Sequence, residues 1–290
     1  MNHIAISIGA GRRPLIFPPN EALESKCPWP AVGLCNQLFH LMGVINHCNF
    51  EHDVLYCDYF NKDMHNISFL NYSELFDFAE MNANNKWNLK DLTSLETLID
   101  YRVWPFENPW KLYIVNKRQF KDIAQKLIFN KTWVDLANCI IADTGIASEE
   151  VNLVQLRIDS DVKDHLKKRF PTNPKIFENY LSSYKQSIYK HCSFDKKLVL
   201  LLGETDHPFV KELQKDYNVI FFDKEIVLNS YYKLYNKRDF DGREMFALID
   251  LLIAKNLKVN KYILSHGKVF ISSFGILLKY LNTYKSIVAV

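Results

Sequence analysis

Residues 197–206 read Lys197-Leu198-Val199-Leu200-Leu201-Leu202-Gly203-Glu204-Thr205-Asp206, an apolar run of strand length that breaks into one glycine and three polar residues. A run with no polar alternation is the pattern of a parallel strand covered on both faces, because neither face meets water. Pro208 to Asp216 then reads as a helix and Val219 to Phe222 as the next strand. Upstream, Val151-Asn152-Leu153-Val154-Gln155-Leu156-Arg157 is strand-like, and a polar helical region follows it to about residue 190. Downstream come an amphipathic helix from Arg243 to Ala254, a strand at Tyr262-Ile263-Leu264-Ser265, and a helix from Ser272 to Leu281 that opens on hydroxyls. This alternation predicts an α/β lobe with a parallel sheet.

The first half is less regular. Ile4 to Ile8 reads as a short strand, Pro14 to Pro30 as a loop, and Asn36 to about Cys48 as a helix; Val54 to Cys57 and Leu112 to Val115 are strand candidates around an aromatic, Asn-rich stretch. At 290 residues the chain exceeds one ordinary α/β domain. Two lobes sharing a cleft are therefore expected, 1–150 and 151–290, with the second starting where the strand–helix alternation becomes regular.

Composition narrows the function. Hydrophobic residues make up 48% and charged residues 24%, so a full core can form. The 36 Lys and Arg against 33 Asp and Glu leave a net charge of +3, too balanced for a nucleic-acid footprint. The N-terminal apolar stretch is broken by Gly9, Gly11, Arg12 and Arg13 and falls short of the roughly 20 apolar residues of a membrane span. A soluble, cytoplasmic protein with no membrane span is the expectation. Cys27, Cys35, Cys48, Cys57, Cys139 and Cys192 show no CxxC spacing and read as buried thiols of a reducing compartment. The three Asn-x-Ser/Thr matches at Asn66, Asn71 and Asn130 carry no weight without a secretory signal.

Four stretches could carry chemistry. Gly9-Ala10-Gly11 after a strand has the opening of a dinucleotide fingerprint, but Pro14 stands at the third glycine position. In Gly33-Leu34-Cys35-Asn36-Gln37-Leu38-Phe39 a glycine permits close backbone approach and Asn36 starts a helix suited to phosphate oxygens; plain N-capping by Asn36 is the bland alternative. In Gln155-Leu156-Arg157-Ile158-Asp159-Ser160-Asp161 an arginine projects from a strand end, where open α/β sheets bind ligands. Its fork suits a pyrophosphate, and an ion pair with Asp159 or Asp161 is the alternative. Ser272 and Ser273 precede an apolar helix and can either cap it or meet an anion, while Asp250 sits in an otherwise apolar helix.

Taken together, GxxNQLF near the N-terminus, LR-x-x-x-D at mid-chain, Thr205-Asp206 after a buried strand, then Glu244 with Asp250 and Ser272-Ser273-Phe274-Gly275 resemble the motifs of the fucosyltransferase superfamily, which groups α-1,2-, α-1,6- and protein O-fucosyltransferases. Order and spacing agree over about three quarters of the chain. The resemblance implies a GT-B fold, two Rossmann-like lobes facing a central cleft, with 1–150 as the acceptor-side lobe and 151–290 as the nucleotide-sugar-binding lobe. It implies an inverting transfer, without a metal ion, from a nucleotide diphosphate sugar to a hydroxyl of a glycan or glycoprotein acceptor. Asn36, Arg157 and Asp161 would be catalytic. Gly33, Gln155, Arg157, Asp250, Ser272, Ser273 and Phe274 would bind the donor, Arg157 at the β-phosphate and Asp250 at the base edge. Asp159, Asp161 and His40 are candidate bases by residue type.

Three departures bear on the donor. Gln155 stands where the family pattern has histidine, Gly275 replaces the last serine of an SSFS-like motif, and an RRGD-like continuation is absent. GDP-fucose is the favoured donor, and a UDP-sugar such as UDP-xylose the alternative. A non-catalytic sugar-nucleotide-binding protein and a nicotinamide-dependent oxidoreductase using Gly9 and Gly11 are the competing functions.

Overall fold

The computed structural model describes residues 2–6, 34–57, 59–60, 70–91, 102–104, 110–201, 205–222, 229, 242–265, 271–281 and 286–290. The chain forms two compact units, Met1–Val134 with Asn229–Leu248, and Asp135–Leu228 with Ile249–Val290.

In the first unit β1 (Asn2–Ile6) leads to α1 (Leu34–His47) and β2 (Asp53–Cys57). A short antiparallel pair follows, β3 (Tyr59–Phe60) with β4 (Leu70–Asn71), and then α2 (Tyr72–Leu75), α3 (Phe78–Asn85), β5 (Leu89–Asp91) and β6 (Arg102–Trp104). The sheet runs β5-β2-β1-β6 and every pairing in it is parallel. Helix α1 is buried around most of its circumference, because Leu38, Phe39, Leu41 and Met42 point to different sides and are all fully buried. Its Phe39 ring lies edge-on to Trp110 at 5.2 Å and to Phe120 at 4.6 Å. Edge-to-face rings of this kind add attraction beyond area burial.

The expected strand at Leu112 to Val115 is instead part of helix α4 (Lys111–Val115), followed by α5 (Lys117–Ala124) and α6 (Lys131–Asp143). Leu112 and Tyr113 are buried side by side while Ile114 and Val115 are 64% and 77% exposed. Adjacent burial suits one turn of helix laid on the Phe39 cluster and not the alternation of a strand. Packing there overrides the β-propensity of Ile and Val.

The second unit has a five-stranded sheet, β11-β10-β7-β8-β9, parallel throughout. Its strands are β7 (Glu150–Gln155), β8 (Leu198–Leu201), β9 (Val219–Ile220), β10 (Lys258–Leu264) and β11 (Ile287–Ala289). The helices are α7 (Ser160–Arg169), α8 (Ile176–His191), α9 (Pro208–Asp216), α10 (Gly242–Asn256) and α11 (Ser273–Leu281). β8 is buried at every residue, as its unbroken apolar run predicts. One face of the sheet packs Leu198 and Leu200 with Leu166 of α7, Tyr184 and Ile188 of α8 and Leu213 of α9. Burying each such aliphatic side chain stabilises the fold by about 1.5–3 kcal/mol. Inside the sheet, Asn152 Nδ2 donates to the Ser193 carbonyl at 3.1 Å and its Oδ1 accepts from Asn260 Nδ2 at 3.2 Å, which satisfies a fully buried amide.

Helix α10 departs from the amphipathic expectation: Leu248 to Ala254 are all buried, Asp250 among them. Of the described cysteines, Cys35, Cys57 and Cys192 are buried thiols as expected, Cys48 is half-buried and Cys139 is exposed.

Candidate functional site

The strand order of the second unit fixes where a ligand would bind. Running outward from β7, the chain adds β8 and β9 on one side and β10 and β11 on the other, so the strand order reverses between β7 and β10. The crossovers after these two strands leave in opposite directions, and in open α/β sheets ligands bind at the C-terminal ends of strands at such a point. Gln155 ends β7, and Ser265 follows β10.

A buried polar network joins these two strand ends. Gln155 Nε2 donates to Ser272 Oγ at 3.0 Å, and Gln155 Oε1 accepts the Ser265 backbone N–H at 3.3 Å. The Ser272 backbone N–H donates to the Ser265 carbonyl at 3.0 Å, which folds the chain after β10 back on itself. Ser272 then caps α11: its Oγ accepts the Gly275 N–H at 3.4 Å and its carbonyl accepts the Ile276 N–H at 3.0 Å. Ser273 and Phe274 form the first two helical positions, both half-buried. The expected capping role of the serines thus falls to Ser272.

From below, α8 supplies two tyrosines one helical turn apart. The Tyr184 hydroxyl donates to the Gln155 carbonyl at 2.7 Å, and the Tyr180 and Ser265 hydroxyls are 3.0 Å apart. Burial pushes the Tyr180 phenol above its ordinary value against the opposing bond to Ser265, and burial with the neighbouring Tyr180 pushes Tyr184 well above its own. Sequence reading passed over both tyrosines. The signal was their spacing with Phe177 and Ile188, which puts four large side chains on the buried stripe of α8.

Arg157 lies two residues beyond β7 and pairs with Asp159, Nε to Oδ2 at 2.9 Å and a longer Nη2 to Oδ1 at 3.5 Å, with both side chains 30% exposed. The same carboxylate caps α7 by accepting the Val162 N–H at 3.2 Å, so Asp159 fixes the guanidinium against a helix end. Burial opposes the arginine's charge, but the charge and hydrogen bond of Asp159 outweigh it and push its pKa up. Asp161 is exposed in the first turn of α7, and Thr205 and Asp206 are exposed ahead of α9. Asp250 is 7% exposed within α10, a buried carboxylate.

In the first unit Asn36 is the third residue of α1, which begins at Leu34, so it is not the N-cap that its sequence position suggests. Among the described residues its Oδ1 is a buried acceptor without a hydrogen-bond partner. His40 is buried in the same helix. Gly33, Gly9 and Gly11 lie outside the described residues. Among the described residues no helix is long and apolar enough to cross a membrane.

The two larger sheets are parallel and packed with helices, and the same fold is found among solved structures. The chain superposes on crystal structures of POFUT1, a protein O-fucosyltransferase, solved in complex with GDP and with GDP-fucose. For the GDP complex the TM-score is 0.56 at 10% identity, covering 99% of this chain and 97% of that one. For the GDP-fucose complex the TM-score is 0.56 at 11% identity, with the same coverage. The fold is therefore that of a protein O-fucosyltransferase, GT-B-like with parallel sheets. No protein-family model matches the sequence. No curated protein matches it either.

Proposed function

We propose that this chain is a glycosyltransferase that takes a sugar, fucose in the favoured reading, from a nucleoside diphosphate donor and passes it to a hydroxyl of a glycan or glycoprotein. The observation that carries this reading is the joining of Gln155, Ser265 and Ser272 across the β7/β10 reversal, in a fold shared with a protein whose crystals hold GDP-fucose. The donor diphosphate lies at the N-terminus of α11, where Ser273 and Phe274 offer backbone N–H groups and the helix dipole favours negative charge. Arg157 meets the β-phosphate, and Asp250 reads the base. Asn36 acts at the reacting centre, Gly33 is assigned to the donor by the family pattern, and residues 1–150 are assigned to the acceptor.

The acceptor oxygen bonds to the anomeric carbon as the bond to the β-phosphate oxygen breaks. The nucleoside diphosphate leaves with that electron pair, and the configuration inverts. Positioned donors that stabilise the departing charge are the main catalytic need, and Arg157 and the helix end supply them. The acceptor proton passes to a base, and Asp161, exposed at the start of α7, is the carboxylate assigned to it by the family pattern. UDP-xylose is kept as the alternative donor because Gln155 and Gly275 depart from the family pattern.

A thermal-shift screen of GDP, UDP, ADP and CMP tests the donor, since a ligand at 100 times its Kd stabilises the fold by about 2.7 kcal/mol. GDP is expected to raise Tm most, and the failure of every nucleotide to raise it would overturn the reading. Release of GDP from GDP-fucose, dependent on added acceptor and unchanged by EDTA, tests the reaction. A loss restored by Mn²⁺ would replace the metal-free mechanism.

A further inference from the structure

Gln155 and Gly275 are the two departures from the family motifs that lie among the described residues, and they touch. Gln155 is 2% exposed, with one amide proton given to Ser272 Oγ and its carbonyl oxygen taken by the Ser265 N–H. A Cβ built on Gly275 would stand 2.7 Å from Gln155 Oε1 and 3.0 Å from the Ser265 carbonyl oxygen. Real Cβ atoms do not approach an oxygen at the first of these distances. Glycine at 275 is what leaves room for the carboxamide.

We propose that Gln155 and Gly275 are a matched pair that sets the first turn of α11, with Gln155 a positioning residue that does not itself touch the donor. Gly275 admits the carboxamide, and the carboxamide ties Ser272 and Ser265 together, so the backbone N–H groups of Ser273 and Phe274 face one direction. This rests on the nucleotide-binding reading given above. Oε1 is the far end of a flexible side chain, so a methyl group at 275 pushes the carboxamide aside, while the Ser265 carbonyl has to give by only a few tenths of an ångström. The cost falls on the two hydrogen bonds. Gly275→Ala therefore removes from one side what Gln155→Met removes from the other, and the double variant has little left to lose.

The test is a double-mutant cycle on the full chain, with GDP affinity by calorimetry and amide exchange over residues 271–276 measured for wild type, Gln155→Met, Gly275→Ala and both together. Each single change is expected to weaken GDP about 10-fold, the loss of a buried hydrogen bond, with Tm showing a folded protein. The double variant is expected to lose about 10-fold as well, where independent sites would lose about 100-fold. All three variants should exchange faster at 271–276. Multiplying losses in the double variant would overturn the pairing. Faster exchange with unchanged GDP affinity would overturn the positioning role. If wild type binds no nucleotide, the functional reading fails separately, and the exchange rates still decide the pair: non-additive acceleration supports it and additive acceleration removes it.

Discussion

Asn36 and Gln155 are two amides with buried oxygens, one in each unit, and the protein treats them in opposite ways. Gln155 has a donor and an acceptor engaged within the fold, and Tyr184 holds its backbone carbonyl as well. Asn36 offers a buried oxygen that meets no donor among the described residues. Leaving a buried polar atom unsatisfied costs about 1–3 kcal/mol, so a fold does not gain stability by placing one there. The contrast separates a residue whose amide is engaged within the fold from one whose amide oxygen is not, and it turns the family resemblance into distinct expectations for each.

The largest effect is expected at Arg157, which combines both behaviours: Asp159 anchors it, and the functional reading gives it the β-phosphate. Arg157→Lys keeps the charge and an ion pair with Asp159 but loses the planar fork. The expected result is a fall in kcat/KM on the order of 10- to 100-fold with Tm little changed, since exposed pairs contribute only about 0–1 kcal/mol. Near wild-type transfer at saturating acceptor would leave Arg157 as an ion-pair partner of Asp159 and nothing more.

Asn36→Ala comes next and breaks the comparison most directly. Turnover should drop about 10-fold while stability holds or rises, because the variant removes an unsatisfied atom. A variant that unfolds readily yet turns over normally would place Asn36 with Gln155 as structural. Gln155→Met is the mirror case, with a stability loss of about 1–3 kcal/mol read from denaturant midpoints. If it is as stable as wild type, the network at the β7/β10 reversal is ornamental.

The smallest effect is a pH dependence beneath the site. Tyr180 and Tyr184 have folded pKa values raised above the ordinary 10.0 by burial. Their neutral forms are favoured in the fold, so their contribution is complete below pH 10 and is lost as pH rises from there through the folded values. Stability should therefore fall above pH 10, and less steeply in Tyr184→Phe than in wild type. Equal slopes in the two proteins would remove these phenols as the cause.

Much of the second unit was legible in the sequence because its strands have no polar face and its helices are punctuated. Pro208 to Asp216 was read at its observed ends, with the turn at His207 and Pro208 marking its start. The unbroken apolar run at 198–201 could be nothing but a covered strand or a buried helix, and its length decided. Leu112 to Val115 misled because four residues cannot display a period, and only the rings of Phe39, Trp110 and Phe120 decide which face is covered. The site was half legible. The sequence offered the capping role of Ser272 and the pairing of Arg157 with Asp159, but the contact between Gln155 and Gly275 joins distant parts of the chain and exists only once the fold brings them together. The burial of Asp250 was not legible either, because the helix from Arg243 to Ala254 reads as amphipathic while Leu248 to Ala254 are all buried.

The network at the β7/β10 reversal also has a place in time. Asn152 ties β7 to the turn before β8 across 41 residues, whereas Gln155 reaches Ser272 across 117. Closing the longer loop costs about 1 kcal/mol more in chain entropy by the logarithmic rule. The β7/β8 half of the sheet is therefore expected to form first, on the cheaper closure, and the Gln155–Ser272 contact after it, when β10 and α11 have docked. In refolding, binding competence should lag behind the return of helical signal.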